Sequence, residues 1–89
     1  MVQVTTMFKI IISPKVIKQL KLLKFIHKEA VELAIDDLKN DPEAGKKLKD
    51  NLLGKYSYRI GVYRIIYKID DSNQAVYIMS AGHRSVVYG

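Results

Sequence analysis

Arg59 and Arg64 flank a Gly61-Val62 pair inside the segment Tyr56-Ser57-Tyr58-Arg59-Ile60-Gly61-Val62-Tyr63-Arg64-Ile65-Ile66-Tyr67-Lys68-Ile69. Glycine at the first central position of a two-residue hairpin loop fits a type II′ turn. That loop pairs Ile60 with Tyr63, Arg59 with Arg64 and Tyr58 with Ile65. Two like charges directly opposed on a sheet cost a few tenths of a kcal/mol, to about 1 at most. A chain built only for stability would set a carboxylate across from Arg59, yet no acidic residue occurs between Asp50 and Asp70. Two rigid guanidinium forks side by side suit the grip of a phosphate. The competing reading is a solvated basic face screened by salt.

Alternation extends the pattern. Side chains of a strand point to opposite faces in turn, so Tyr56, Tyr58, Ile60, Tyr63, Ile65, Tyr67 and Ile69 share one apolar face. Lys55, Ser57, Arg59, Arg64, Ile66 and Lys68 share the other. If Ile69 pairs with Val76 in a following strand, Tyr77, Met79, Ala81 and His83 join the basic face. The chain closes Gly82-His83-Arg84-Ser85-Val86-Val87-Tyr88-Gly89. A bend at Gly82 would gather His83, Arg84 and Tyr88 beside Arg64. A group titrating near neutrality, a fixed cation and a ring able to stack on a base would then converge on one place.

The elements that must hold this face are legible upstream. Phe8-Lys9-Ile10-Ile11-Ile12 reads as a short β-branched strand. Ser13-Pro14 starts a helix, with a capping hydroxyl followed by proline at the first helical position. Val16, Leu20 and Leu23 follow at helical spacing, while Lys18, Lys21, Lys24 and Lys28 line another flank as a solvated face. The phase shifts near Phe25, and Val31, Ala34, Ile35 and Leu38 predict a second helix from about Lys28 to Asn40, stopped by Asn40-Asp41-Pro42. The two make an antiparallel hairpin, with His27 near its turn. Glu43 to Gly54 reads as a polar connection whose Leu48, Leu52 and Leu53 tuck against the helices. Strands then run over Lys55–Ile60, Tyr63–Ile69 and Ala75–Ala81, with Asp70-Asp71-Ser72-Asn73 as the last turn.

Length and composition set the outer bounds. The chain has 89 residues, enough for one domain with a modest core. Residues 1–6 carry no strong pattern and read as an extended or disordered tail, with Met7 a second candidate start. Cysteine is absent, which excludes disulfide staples and thiolate metal sites. No metal or cofactor is expected. The longest run of isoleucines, Ile10 to Ile12, is far too short for a membrane span, so cytoplasm is the default compartment. A net charge of +6 favours a polyanionic partner.

The strand leading into Ser13-Pro14-Lys15, the helical hairpin, the Tyr-Arg-Ile-Gly-x-Tyr-Arg-Ile-Ile-Tyr block and the closing Gly-His-Arg with Val-Tyr resemble the RelE/ParE toxin superfamily of prokaryotic toxin–antitoxin systems. The likeness runs from Met7 over almost the whole chain. It implies an α+β fold of two N-terminal helices packed on a twisted, mainly antiparallel four-stranded sheet. In the RelE-like branch it implies a ribosome-dependent endoribonuclease that cuts messenger RNA without a metal. Arg64 and Arg84 match positions that contact the scissile phosphate, and Arg59 a basic position of the RNA site, with Lys55 and Lys68 on the same face. Tyr88 matches a tyrosine that stacks or orients at the cleavage point; His83 lies near the site, and some relatives use a C-terminal histidine as general acid. Ser57 departs from the pattern, since nuclease-like relatives often have a lysine there to activate the attacking hydroxyl. The ParE-like branch, which inhibits DNA gyrase, and an attenuated homologue kept for antitoxin or operator DNA binding are the alternative readings. All branches imply a cognate antitoxin as partner.

Overall fold

The computed structural model describes residues 7–49, 54–83 and 85. The expected tail over residues 1–6 and the packing of Leu52 and Leu53 lie outside them. Strand β1 (Lys9–Ile12) carries the three isoleucines and runs directly into helix α1 (Pro14–Lys21). The Ser13 hydroxyl accepts a hydrogen bond from the Val16 amide at 3.3 Å, and Pro14 opens the helix where no amide is missed. Val16 and Leu20 are the buried positions, one turn apart.

Helix α2 (Phe25–Asp37) begins earlier than apolar spacing predicts. Its first turn carries Phe25 and Ile26, which are 77% and 70% exposed. Apolar residues that face solvent add no amphipathic signal, and no side chain caps the start, so neither usual cue marks this end. The helix also stops before Asn40. The Asn40 and Asp41 amides both turn back onto the Asp37 carbonyl, and the Lys39 carbonyl accepts from the Phe8 amide at 2.9 Å, tying the helix exit to the start of β1.

The sheet differs from expectation in two respects. Among the described residues it has five strands, ordered β1-β5-β4-β3-β2, and it is mixed rather than four-stranded. The additional strand is β2 (Lys46–Lys47), antiparallel to β3 (Tyr56–Ile60). Strand β1 lies parallel to β5 (Ala75–His83), whereas β5 and β3 flank β4 (Tyr63–Asp70) antiparallel to it. Two lysines carry no strand pattern, so β2 is made by its surroundings. A proline-led turn at Pro42–Ala44 precedes it. The Tyr67 hydroxyl, reaching out from the core, donates to the Pro42 carbonyl at 2.6 Å and accepts from the Gly45 amide at 2.9 Å. Gly45 has no room for a side chain: a Cβ there would collide with that hydroxyl and meet the Ser57 carbonyl at 3.0 Å.

The two turns behave as their residues require. Gly61 sits at φ +58° while Val62 stays at negative φ, as a type II′ loop needs. After β4, the Asp70 carboxylate accepts from the Asn73 side chain at 2.8 Å, the Ser72 hydroxyl at 2.7 Å and the Asn73 amide at 3.2 Å. These bonds, those from Asn73 foremost, hold its carboxyl below the ordinary range. The core lies between the helices and one sheet face, where Val16, Leu20, Val31 and Ile35 meet Ile65, Tyr67 and Ile78.

Burial pushes the Tyr67 phenol up to about 12 from its usual 10. The folded state therefore favours the neutral ring. The associated stability is complete below pH 10 and declines as pH rises toward 12. Tyr67→Phe should lower the urea-unfolding free energy by about 1–3 kcal/mol at neutral pH, because the Pro42 carbonyl and Gly45 amide lose their partner. The same variant should show a shallower loss of stability than the parent protein between pH 10 and 12.

Candidate nucleic-acid interface

The hairpin register places Arg59 directly opposite Arg64, as the loop chemistry predicts. Arg59 is exposed, and Arg64 is half-buried with its Nε closed off from solvent. Lys68 is exposed on the same face of β4, opposite Tyr77, and Lys55 is half-buried just ahead of β3. Arg84 and Tyr88 lie outside the described residues. The middle of this face is closed rather than open. Ser57 pairs with Ile66, and Ile66 with Ser80, and all three are buried; Ser57 is 7% exposed. Ser57 therefore lies low between the cations and presents little surface to a ligand.

The arrangement of β5 corrects one expectation. Ile69 pairs with Val76 and Lys68 with Tyr77 as anticipated, but the register shifts between Ile66 and Tyr67. Tyr67 faces Ile78 and Ile66 faces Ser80, so Met79 is the extra residue of a bulge. One inserted residue sends every later side chain to the other face. Ala81 joins the buried core, and His83 stands opposite Tyr63 rather than beside Arg64. The Tyr63 ring lies between two imidazoles, with centroids 5.1 Å from His27 and 6.0 Å from His83. His83 Nδ1 is held by Ser85, whose amide donates to it at 3.1 Å and whose hydroxyl lies 2.8 Å away.

The bulge falls where the sheet edge changes. Strand β1 ends at Ile12, paired with Ile78, so among the described residues the rest of β5 has no strand on that side. Gln19 of α1 fills the gap. Its Oε1 accepts from the Ala81 amide at 2.9 Å, and its Nε2 donates to the Ser80 hydroxyl at 3.1 Å. A lone glutamine on a helix gives no sequence signal for this task.

Lys46 was also invisible to pattern reading. It pairs with Ser57, which puts it on the arginine face, whereas Lys47 pairs with Tyr56 and belongs to the opposite one. The β1–β5 half of the same face is apolar around Ile11, with the exposed Lys9 farther along β1. Ile11, Tyr77 and Met79 line an open cleft there of about 670 Å³, edged by Lys15 and Lys68. Among the described residues no three His, Cys, Asp or Glu side chains are grouped to hold a metal ion. None of the described helices is long and apolar enough to cross a membrane.

Residues 10–88 match the family described as the ParE toxin of type II toxin–antitoxin systems. The chain belongs to this family, within the RelE/ParE superfamily. Two curated Mycobacterium tuberculosis relatives share its sequence over 59 residues. Toxin RelG is 42% identical across 65% of this chain and 68% of its own length. Toxin RelE is 41% identical across 65% of this chain and 61% of its own. The toxin–antitoxin complex RelBE2 of the same organism contains a chain that superposes with TM-score 0.82 at 31% identity, covering 94% of this chain and 99% of that one. A mutant of Escherichia coli RelE in the free state gives TM-score 0.75 at 20% identity, over 92% and 90% of the two chains, and so shares the fold. The ParE-family chain is thus a toxin of a RelBE-type system with the RelE-like sheet.

Gln19→Ala should leave the Ala81 amide unsatisfied at the open edge of β5. The expected result is a loss of about 1–3 kcal/mol in stability, with faster hydrogen exchange at Ala81 than at Val76, which β1 covers.

Proposed function

We propose that this toxin is a ribosome-dependent endoribonuclease whose arginine face grips the scissile phosphate of a messenger RNA. The observation that supports this most directly is the register pairing of Arg59 with Arg64, in a stretch without an acidic residue from Asp50 to Asp70. In the reaction, the ribose 2′-oxygen attacks the adjacent phosphorus and the bond to the 5′-oxygen breaks. The 2′-hydroxyl loses its proton and the leaving 5′-oxygen gains one, giving a cyclic phosphate and a free 5′-hydroxyl. Charge builds on the phosphate oxygens, where Arg59, Arg64 and Arg84 stabilise it, with Lys55 and Lys68 strengthening the local field. Tyr88 holds the base or ribose. His83 serves as a proton donor only from around the end of the sheet, because the bulge sets it against Tyr63.

An antitoxin is the proposed protein partner. The RelBE2 chain was solved in a toxin–antitoxin complex, and the Pyrococcus horikoshii neighbour in a RelE–RelB complex. At the turn between α1 and α2, Leu22 is 86% exposed next to Phe25 and Ile26, with Lys18, Lys21, Lys24 and Lys28 nearby in sequence. Exposed apolar residues interspersed in sequence with lysines fit an amphipathic segment with acidic flanks.

Gyrase inhibition is the second reading, favoured by the ParE family match and by Ser57, where a lysine would help activate the attacking hydroxyl. Mapping transcript ends in a translating extract, beside a supercoiling assay, separates the two. The nuclease reading expects codon-phased cuts that need ribosomes, with Arg64→Ala and Arg84→Ala each lowering the cleavage rate roughly 100-fold or more. Intact transcripts with blocked supercoiling would overturn it in favour of gyrase.

A further inference from the structure

The arginine face is electrically divided. Over β2, β3 and β4 it carries Lys46, Arg59, Arg64 and Lys68, whereas over β5 and β1 Tyr77, Met79 and Ile11 surround an apolar cleft, with Lys15 at its edge and Lys9 farther along β1. A phosphate backbone leaving the arginine pair toward β5 meets Gly82 first, and the cations of that half stand farther off, Lys15 at the cleft edge and Lys9 opposite Ala75 at the other end of β5. Toward β2 it meets a cation on the adjacent strand, one diagonal step of roughly 7–8 Å from Arg59. Lys46 stands directly across from Ser57, and Ser57 neighbours Arg59 on the same face of β3. A lysine on the adjacent strand lies diagonal to Arg59, within reach for a long side chain. Lys46 is exposed, while Ser57 beneath it is buried.

We propose that Lys46 is a phosphate contact of this site, and that the RNA leaves the Arg59–Arg64 pair across β2. The inference rests on the RNA reading above and adds a residue and a direction to it. Lys46 supplies from the neighbouring strand the positive charge that Ser57 cannot supply from β3. The two-residue strand contains its own control, since Lys47 has the same charge, the same sequence neighbourhood and the opposite face.

The test is fluorescence anisotropy of a labelled single-stranded oligoadenylate over a salt series. The full chain is compared with Lys46→Ala, Lys47→Ala, Lys46→Arg and Arg64→Ala, each checked for unchanged thermal unfolding. Lys46→Ala should bind roughly two- to fivefold more weakly at low salt, the scale of one exposed ionic contact. Its plot of log affinity against log salt should flatten by about 0.7, the value for one phosphate contact on a single strand. Lys47→Ala should match the parent protein, and Lys46→Arg should restore binding. Equal losses for Lys46→Ala and Lys47→Ala would show only a general charge effect and overturn the proposal. No loss for Lys46→Ala, with a clear loss for Arg64→Ala, overturns it while leaving the RNA reading intact. No loss for Arg64→Ala removes the RNA reading itself.

Discussion

The hydroxyl of one core tyrosine holds the edge of this molecule in place. Tyr67 is fully buried on β4, stacks on Tyr56 at 5.3 Å, and binds the backbone on both sides of the Pro42–Ala44 turn. Its ring is part of the core, so the core and the edge cannot move independently. Through that contact a pair of lysines with no strand propensity of their own is laid against β3, and the cationic face widens from two strands to three. The same contact explains the glycine at position 45, which is required by close approach rather than by an unusual backbone angle.

The far side of the sheet is governed by a second constraint, the unequal lengths of β1 and β5. A strand that outlasts its neighbour has backbone groups to satisfy, and Gln19 satisfies one of them. The accompanying bulge re-aims the end of β5. Ala81 completes the core and His83 turns toward Tyr63, so the arginine pair is separated from the described histidines. The cations Arg59, Arg64 and Lys68 thus stand on one face of β3 and β4, and both described histidines pack against Tyr63 on the other.

Much of the site was legible from side-chain alternation. The apolar row from Tyr56 to Ile69, the Gly61-Val62 loop and the opposition of Arg59 to Arg64 all follow from period-two geometry and a two-residue turn. The Ser13-Pro14 helix start follows equally from local capping chemistry. These features depend on neighbours close in sequence, and no distant contact competes with them. The true start of α2 was not legible, because its first turn shows apolar residues to solvent.

The sequence by itself determined the class of the fold, the hairpin register and the identity of its opposed charges. Each of these depends on backbone sterics and on spacing within one or two turns. Only the tertiary structure decided that the sheet is mixed and five-stranded among the described residues, that Lys46 joins the arginine face, and that His83 leaves it. The mixed sheet comes from the parallel pairing of β1 with β5, and the other outcomes go with hydrogen bonds between distant residues, Tyr67 to Pro42 and Gln19 to Ala81. A shift of one residue reverses the face of every side chain that follows, and periodicity contains no mark of where that shift falls.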